Sequence, residues 1–141
     1  MYDVFDFLTG AEVEDVQAAA IAPTGKQWRR DDNFVATVRY SDGSVCTLAY
    51  TALGAQDHPK ERMEVFADGK VVALDDYKSL TIAGAGGGWS SRTQDKGHLE
   101  ELRALARSLR EGAPWPIPLD EQARAMRIAF AVEGQIWDLR T

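Results

Sequence analysis

What stands out first in this chain of 141 residues is how little it has of the usual functional markers. One cysteine, Cys46, allows no internal disulfide, so the default compartment is a reducing one. Two separated histidines, His58 and His98, give no zinc-ligand spacing. No apolar run approaches the roughly 20 residues of a membrane span. The first residues also lack the basic n-region and apolar stretch of a signal peptide. A basic excess is missing too: 16 Lys and Arg face 22 Asp and Glu, for a net charge of −6. Nucleic acids and anionic membranes attract positive surfaces, so neither is an expected partner. The only adjacent basic pair, Arg29-Arg30, is offset at once by Asp31-Asp32. These absences predict a cytoplasmic protein.

What is present is ordinary globular material, 45% hydrophobic and 27% charged, enough for one domain spanning residues 1–141 with a proper core. Met1 sits inside a helical pattern rather than ahead of one. Val4, Phe5, Phe7 and Leu8 are apolar, and Gly10 follows as a C-terminal stop. No Ser, Thr, Asn or Asp cap precedes Tyr2, and two turns make a marginal free helix. The simplest expectation is the tail of a longer helix, and hence a fragment of a larger protein.

Beyond Gly10, Val13 to Ala22 reads as a strand with Val16, Ala18 and Ala20 on one face, ended by Pro23-Thr24-Gly25. Two hairpins follow. In the first, Phe34, Ala36, Val38 and Tyr40 alternate with smaller residues up to Ser41-Asp42-Gly43, and the return strand runs from Ser44 to about Leu53. A two-residue loop would put the large residues opposite Thr51, Ala49, Thr47 and Val45. A three-residue loop with left-handed Gly43 pairs them with Tyr50, Leu48, Cys46 and Ser44, gathering bulk on one face, and is the predicted register. The opposite face (Val35, Thr37, Val45, Thr47, Ala49, Thr51, Leu53, with Arg39) is small and still largely apolar, so a partner sheet or second subunit is its expected cover. The second hairpin, Met63–Phe66 and Lys70–Leu74, repeats the turn signal at Ala67-Asp68-Gly69. A short strand spans about Leu80 to Ala83, and Gly84–Gly88 opens a loop reaching Lys96. Two helices close the chain, Gly97 to Glu111 and Leu119 to Trp137. The order predicts an α+β fold: an open, mainly antiparallel sheet with helices on one face and the other face available for dimerisation.

Few constellations carry chemistry. Gly84 and Gly86 match two positions of a dinucleotide fingerprint, but Trp89 fills the third and no helix follows at once, so a plain loop is preferred. Lys96-Gly97-His98, at a helix start after that loop, is an accessible place for an anionic or hydroxyl-rich ligand. His58 reads as a loop residue. The carboxylate pairs Asp31-Asp32 and Asp75-Asp76 read as turns rather than an acid/base dyad. Cys46 falls on the core face as an inert thiol, and no G-x-S-x-G elbow is present.

With this layout, the chain resembles the C-terminal domain of the glucose–fructose oxidoreductase / inositol dehydrogenase / rhizopine catabolism family, a dihydrodipicolinate-reductase-like domain. The matching stretches are Tyr2–Gly10, Asp32–Ser44, Lys60–Lys70, Lys96-Gly97-His98 and Glu111–Pro118. The likeness is closest to members tied to bacterial polysaccharide or sugar-nucleotide metabolism. It implies an N-terminal Rossmann domain that these residues lack. Asp3 fits the Asp of the family's His-x-x-Asp, whose proton-transferring His would fall immediately before Met1. The Glu-Lys-Pro motif and the glycine fingerprint are absent. The implied parent reaction is hydride exchange between NAD or NADP and a sugar carbinol. This polypeptide would then hold no catalytic, cofactor or metal residue of its own. Its substrate contacts would be Lys96 and His98, and it would form a homodimer through the sheet face. The alternatives are a stand-alone ligand-binding or scaffold module with no redox role and, third, a small hydrolase built around residues 84–96.

Overall fold

The computed structural model describes residues 1–22 and 28–138. The expected strand terminator Pro23-Thr24-Gly25 lies outside the described residues. The chain divides into two compact units, residues 1–54 with 117–141, and residues 55–116.

The first unit opens with α1 (Tyr2–Thr9). Gly10 ends it in the left-handed conformation at φ 62°, its N–H donating to the Asp6 carbonyl at 2.9 Å, as a C-terminal glycine should. Strands β1 (Val13–Ala20), β2 (Asn33–Tyr40) and β3 (Val45–Thr51) form an antiparallel sheet in that order. The predicted register of the first hairpin is the observed one. Phe34 lies opposite Tyr50, Ala36 opposite Leu48, and Val38 opposite Cys46. Gly43 turns at φ 87° with its N–H on the Tyr40 carbonyl. β1 ends two residues short of the expected Ala22 and brings Val16, Ala18 and Ala20 opposite Val38, Ala36 and Phe34. A helix starting at Leu119, numbered α3 because another precedes it, runs to Asp138. Its Ile128, Val132 and Ile136 join Phe5, Ala36, Val38 and Tyr40 in the core, so α1 and α3 share one face of the sheet. On the other face Val35, Arg39, Val45 and Ala49 stay exposed.

β1 is an edge strand of the described sheet, and two of its backbone groups are satisfied from α3. The Ala18 N–H donates to Gln135 Oε1 at 2.7 Å, and Gln135 Nε2 donates to the Val16 carbonyl at 2.6 Å. One side-chain amide thus replaces a missing strand at that point.

The second unit is a four-stranded antiparallel sheet, β4 (Arg62–Ala67), β5 (Lys70–Asp75), β6 (Ser79–Ala83) and β7 (Gly88–Ser90), followed by α2 (His98–Glu111). The strands therefore fall into two antiparallel sheets within an α+β fold. Two sequence expectations change here. The second hairpin does not repeat the first: Ala67 pairs directly with Lys70, and Asp68 (φ 50°) and Gly69 (φ 72°) form a two-residue turn. This register sets Met63 against Leu74 and Val65 against Val72, whereas a third loop residue would move the bulky partners apart. The glycine stretch, expected as open loop, is a tight hairpin into β7. A Cβ on Gly88 would stand 2.2 Å from the Leu80 carbonyl oxygen, so only glycine permits that strand to close on β6. In α2, Leu105 and Ala106 are half-buried while Leu99, Leu102 and Leu109 are exposed.

Candidate functional site

The polar constellation of the second unit is built on the turn between β5 and β6. Asp76 and Tyr77 both take left-handed backbone angles, φ 49° and 51°. Asp tolerates this region, whereas a bulky Tyr enters it at a cost of order 1–3 kcal/mol and needs its surroundings to hold it there. They do. The Asp76 N–H donates to the Glu61 carbonyl at 2.6 Å, and Gln94 Nε2 donates to the Asp76 carbonyl and Oδ1, each at 3.0 Å. Lys78 Nζ donates to Asp76 Oδ2 at 2.7 Å, which lowers the Asp76 carboxyl below its usual range. The Asp95 N–H reaches the Tyr77 carbonyl at 3.4 Å.

Lys96 is anchored on this frame. Its Nζ lies 2.8 Å from each Glu61 carboxylate oxygen and 5.7 Å from the centre of the Tyr77 ring. The Glu61 hydrogen bond raises the Lys96 ammonium above its ordinary value. The Gly97 N–H then donates to Asp95 Oδ1 at 2.9 Å, and Gly97, at φ 76°, turns the chain into α2. His98 is the first residue of that helix and is exposed. The two expected ligand-contacting residues are therefore two apart on one ordered segment, with Lys96 already paired and His98 open to solvent. Together, ammonium, carboxylate and phenol offer donors and acceptors of the kind hydroxyl groups need.

Glu61, Tyr77 and Gln94 were not singled out by the sequence. Glu61 lies 35 residues from Lys96, a separation no spacing rule reaches. The tandem Asp75-Asp76 turns the chain, as expected, with Asp75 facing Arg62 at 3.8 Å. His58 is exposed in a turn. Cys46 is half-buried on the core face, and burial pushes its thiol up, away from the thiolate a nucleophile needs. Among the described residues no group of three or more His, Cys, Asp or Glu could hold a metal ion.

In the first unit, a charged cluster centres on the buried Asp6. Asp6 accepts a hydrogen bond from the Tyr40 hydroxyl at 2.8 Å and faces Arg124 Nε at 3.6 Å, while Arg124 Nη1 reaches Glu12 at 3.2 Å. It fastens α1 and α3 to the end of β2. No described helix is long and apolar enough to cross a membrane.

No family model matches the sequence, and no curated protein matches it. Solved structures do. The chain is similar to UDP-N-acetylglucosamine 3-dehydrogenase GnnA from Acidithiobacillus ferrooxidans, with a TM-score of 0.77 at 21% identity over 95% of this chain and 43% of that one. It is similar to the WlbA dehydrogenase from Bordetella pertussis, solved in complex with NADH and UDP-GlcNAcA, with a TM-score of 0.60 at 19% identity over 97% and 40% of the two chains. It is also similar to biliverdin reductase from Synechocystis sp. PCC 6803, solved with biliverdin and NADP+, with a TM-score of 0.69 at 14% identity over 95% and 43%. The chain spans less than half the length of these proteins. The fold of this chain is therefore one that these oxidoreductases share over less than half of their own length, as the α+β layout predicted.

Proposed function

We propose that this chain is the substrate-binding and dimerisation domain of an NAD(P)-dependent oxidoreductase acting on a sugar or sugar derivative, inactive by itself. The observation that carries the reading is the fold match, which takes in 95% of this chain but 43% of GnnA. The dinucleotide site then belongs to a Rossmann domain outside these 141 residues, in keeping with a glycine stretch that forms a hairpin instead of a phosphate cradle. The fold alone does not choose the substrate, since biliverdin reductase carries it as well. A sugar is favoured by the names of GnnA and WlbA and by the hydroxyl-matching chemistry around Lys96. In this reading Lys96 and His98 contact substrate hydroxyls, with Glu61 and Tyr77 orienting the ammonium. The sheet face bearing Val35, Val45 and Ala49 joins two copies. The protein works in the cytoplasm, where NAD(P) is available.

The test is ligand-linked stability. A dinucleotide bound to the folded chain at roughly 100 times its Kd would add about 2.7 kcal/mol and raise the melting temperature. The expected result is no rise with NAD(H) or NADP(H), and no hydride transfer to any sugar by the purified chain. A clear nucleotide-dependent rise overturns the reading. The coding sequence upstream of Met1 supplies the second arm. An in-frame Rossmann segment ending in His supports the proposal, whereas a native stop codon with a ribosome-binding site favours a stand-alone ligand-binding or scaffold module.

A further inference from the structure

We propose that the Lys96 subsite takes an uncharged, hydroxyl-bearing ring and turns away one that carries a carboxylate, with Glu61 setting that choice; this rests on the functional reading above. A lysine at the start of a helix suits an anion or a hydroxyl-rich ligand alike. Its surroundings decide between them. Lys96 Nζ donates to Glu61 Oε1 at 2.8 Å and stands equally close to Oε2. Oε2 is closed to solvent and makes no directed hydrogen bond, so its charge is met by the nearness of the ammonium. An anion that drew Lys96 toward itself would take that counter-charge away, and a carboxylate oxygen shut off from water pays heavily for losing its partner.

The neighbours add no positive surplus. Lys78 is matched to Asp76 at 2.7 Å and Arg62 to Asp75 at 3.8 Å, while Asp95 accepts the Gly97 N–H. Over the groups joined by these contacts, Lys78, Lys96 and Arg62 face Glu61, Asp75, Asp76 and Asp95, three positive charges against four. The N-terminus of α2, where an anion would otherwise settle, already carries Glu100 and Glu101 in its first turn. A hydroxyl needs no countercharge. It accepts from an ammonium N–H that Glu61 leaves free and donates to Glu61 Oε1, and the ion pair stays intact. His98, exposed two residues on, offers ring nitrogens to a neighbouring hydroxyl.

Titration of the 15N-labelled chain, followed at the backbone amides of Lys96, Gly97 and His98, tests this. The probes are methyl glucoside and methyl glucuronide, which differ in a carbinol against a carboxylate at C6. The glucoside is expected to move these amides, and the glucuronide to bind at least about tenfold more weakly, as a like charge a few Å away demands. In Glu61→Gln the ammonium loses its countercharge, and the preference for the glucoside falls by about tenfold or reverses. The comparison in the unaltered chain needs no variant, so it decides the matter even where Glu61→Gln fails to fold. A glucuronide that binds the unaltered chain as tightly as the glucoside, or a folded Glu61→Gln with the same preference, overturns the inference and leaves the functional reading standing. If neither sugar moves these amides, the inference falls together with Lys96 and His98 as contacts, while the coding sequence upstream of Met1 still decides whether the chain belongs to an oxidoreductase.

Discussion

At the scale of single residues, stability concentrates where charge is buried. Asp6 is 7% exposed, and its hydrogen bond from the Tyr40 hydroxyl is what makes that burial tolerable. Tyr40→Phe removes the donor and leaves the Asp6 oxygen without it, a loss of about 1–3 kcal/mol measured as a lower urea midpoint. Tyr40→Phe combined with Asp6→Leu removes both partners and leaves Arg124 on Glu12, so the double variant loses less than the two single losses added. A double loss equal to that sum would mean the two groups act independently. The same site sets a pH dependence. Burial, then the Asp6 hydrogen bond, holds the Tyr40 phenol above its ordinary 10.0, and burial holds the Cys46 thiol above 9.0. Both groups stay protonated in the fold after the unfolded chain has ionised. Their contribution is therefore complete below those ordinary values and is lost as pH rises through the folded ones. The urea midpoint falls between about pH 8 and about pH 10.5, and falls less in Cys46→Ala.

At the scale of elements, backbone closure decides what can pair. Gly88→Ala drives a Cβ against the Leu80 carbonyl oxygen, so β7 detaches from β6 and the exchange protection of the Ser79–Ser90 and Leu80–Trp89 pairs is lost. Gly86→Ala, with open space around its Cβ, costs only the about 1–2 kcal/mol of a left-handed alanine and leaves that protection in place. Gln135→Leu strips the edge of β1 of its substitute partner and costs about 1–3 kcal/mol, with faster exchange at the Ala18 amide. Such features also mark how far the sequence could be read. The first hairpin was legible because only one register gathers Phe34, Ala36, Val38 and Tyr40 with Tyr50, Leu48 and Cys46. The second was not, because its alternating residues are too alike on the two faces for a turn signal to fix loop length. β7 was hidden because three residues beginning with glycine show no alternation. The Lys96–Glu61 and Tyr40–Asp6 pairs join residues 35 and 34 apart, and only the folded sheets bring them together.

At the scale of the whole molecule, the question is which surfaces remain open. The outer face of the first sheet exposes Val35 at 45% and Val45 at 61%, with Ala49 and Thr47 between them and a single Thr37–Thr47 hydroxyl contact at 3.5 Å across the strands. Small side chains fill it except at Arg39, which faces Glu14 at 3.7 Å, so it can meet a two-fold copy of itself without burying an unpaired charge. Hydrophobic burial there would return roughly 25 cal/mol for each Å² removed from water, whereas a carboxylate placed at its middle would have to shed its hydration without a partner. Ala49→Glu is therefore expected to shift the sedimenting species from dimer to monomer at micromolar concentration. Its own fold should be unchanged, because position 49 is exposed in the single chain. A wild-type chain that sediments only as monomer, with Ala49→Glu indistinguishable from it, would leave that face without a second copy.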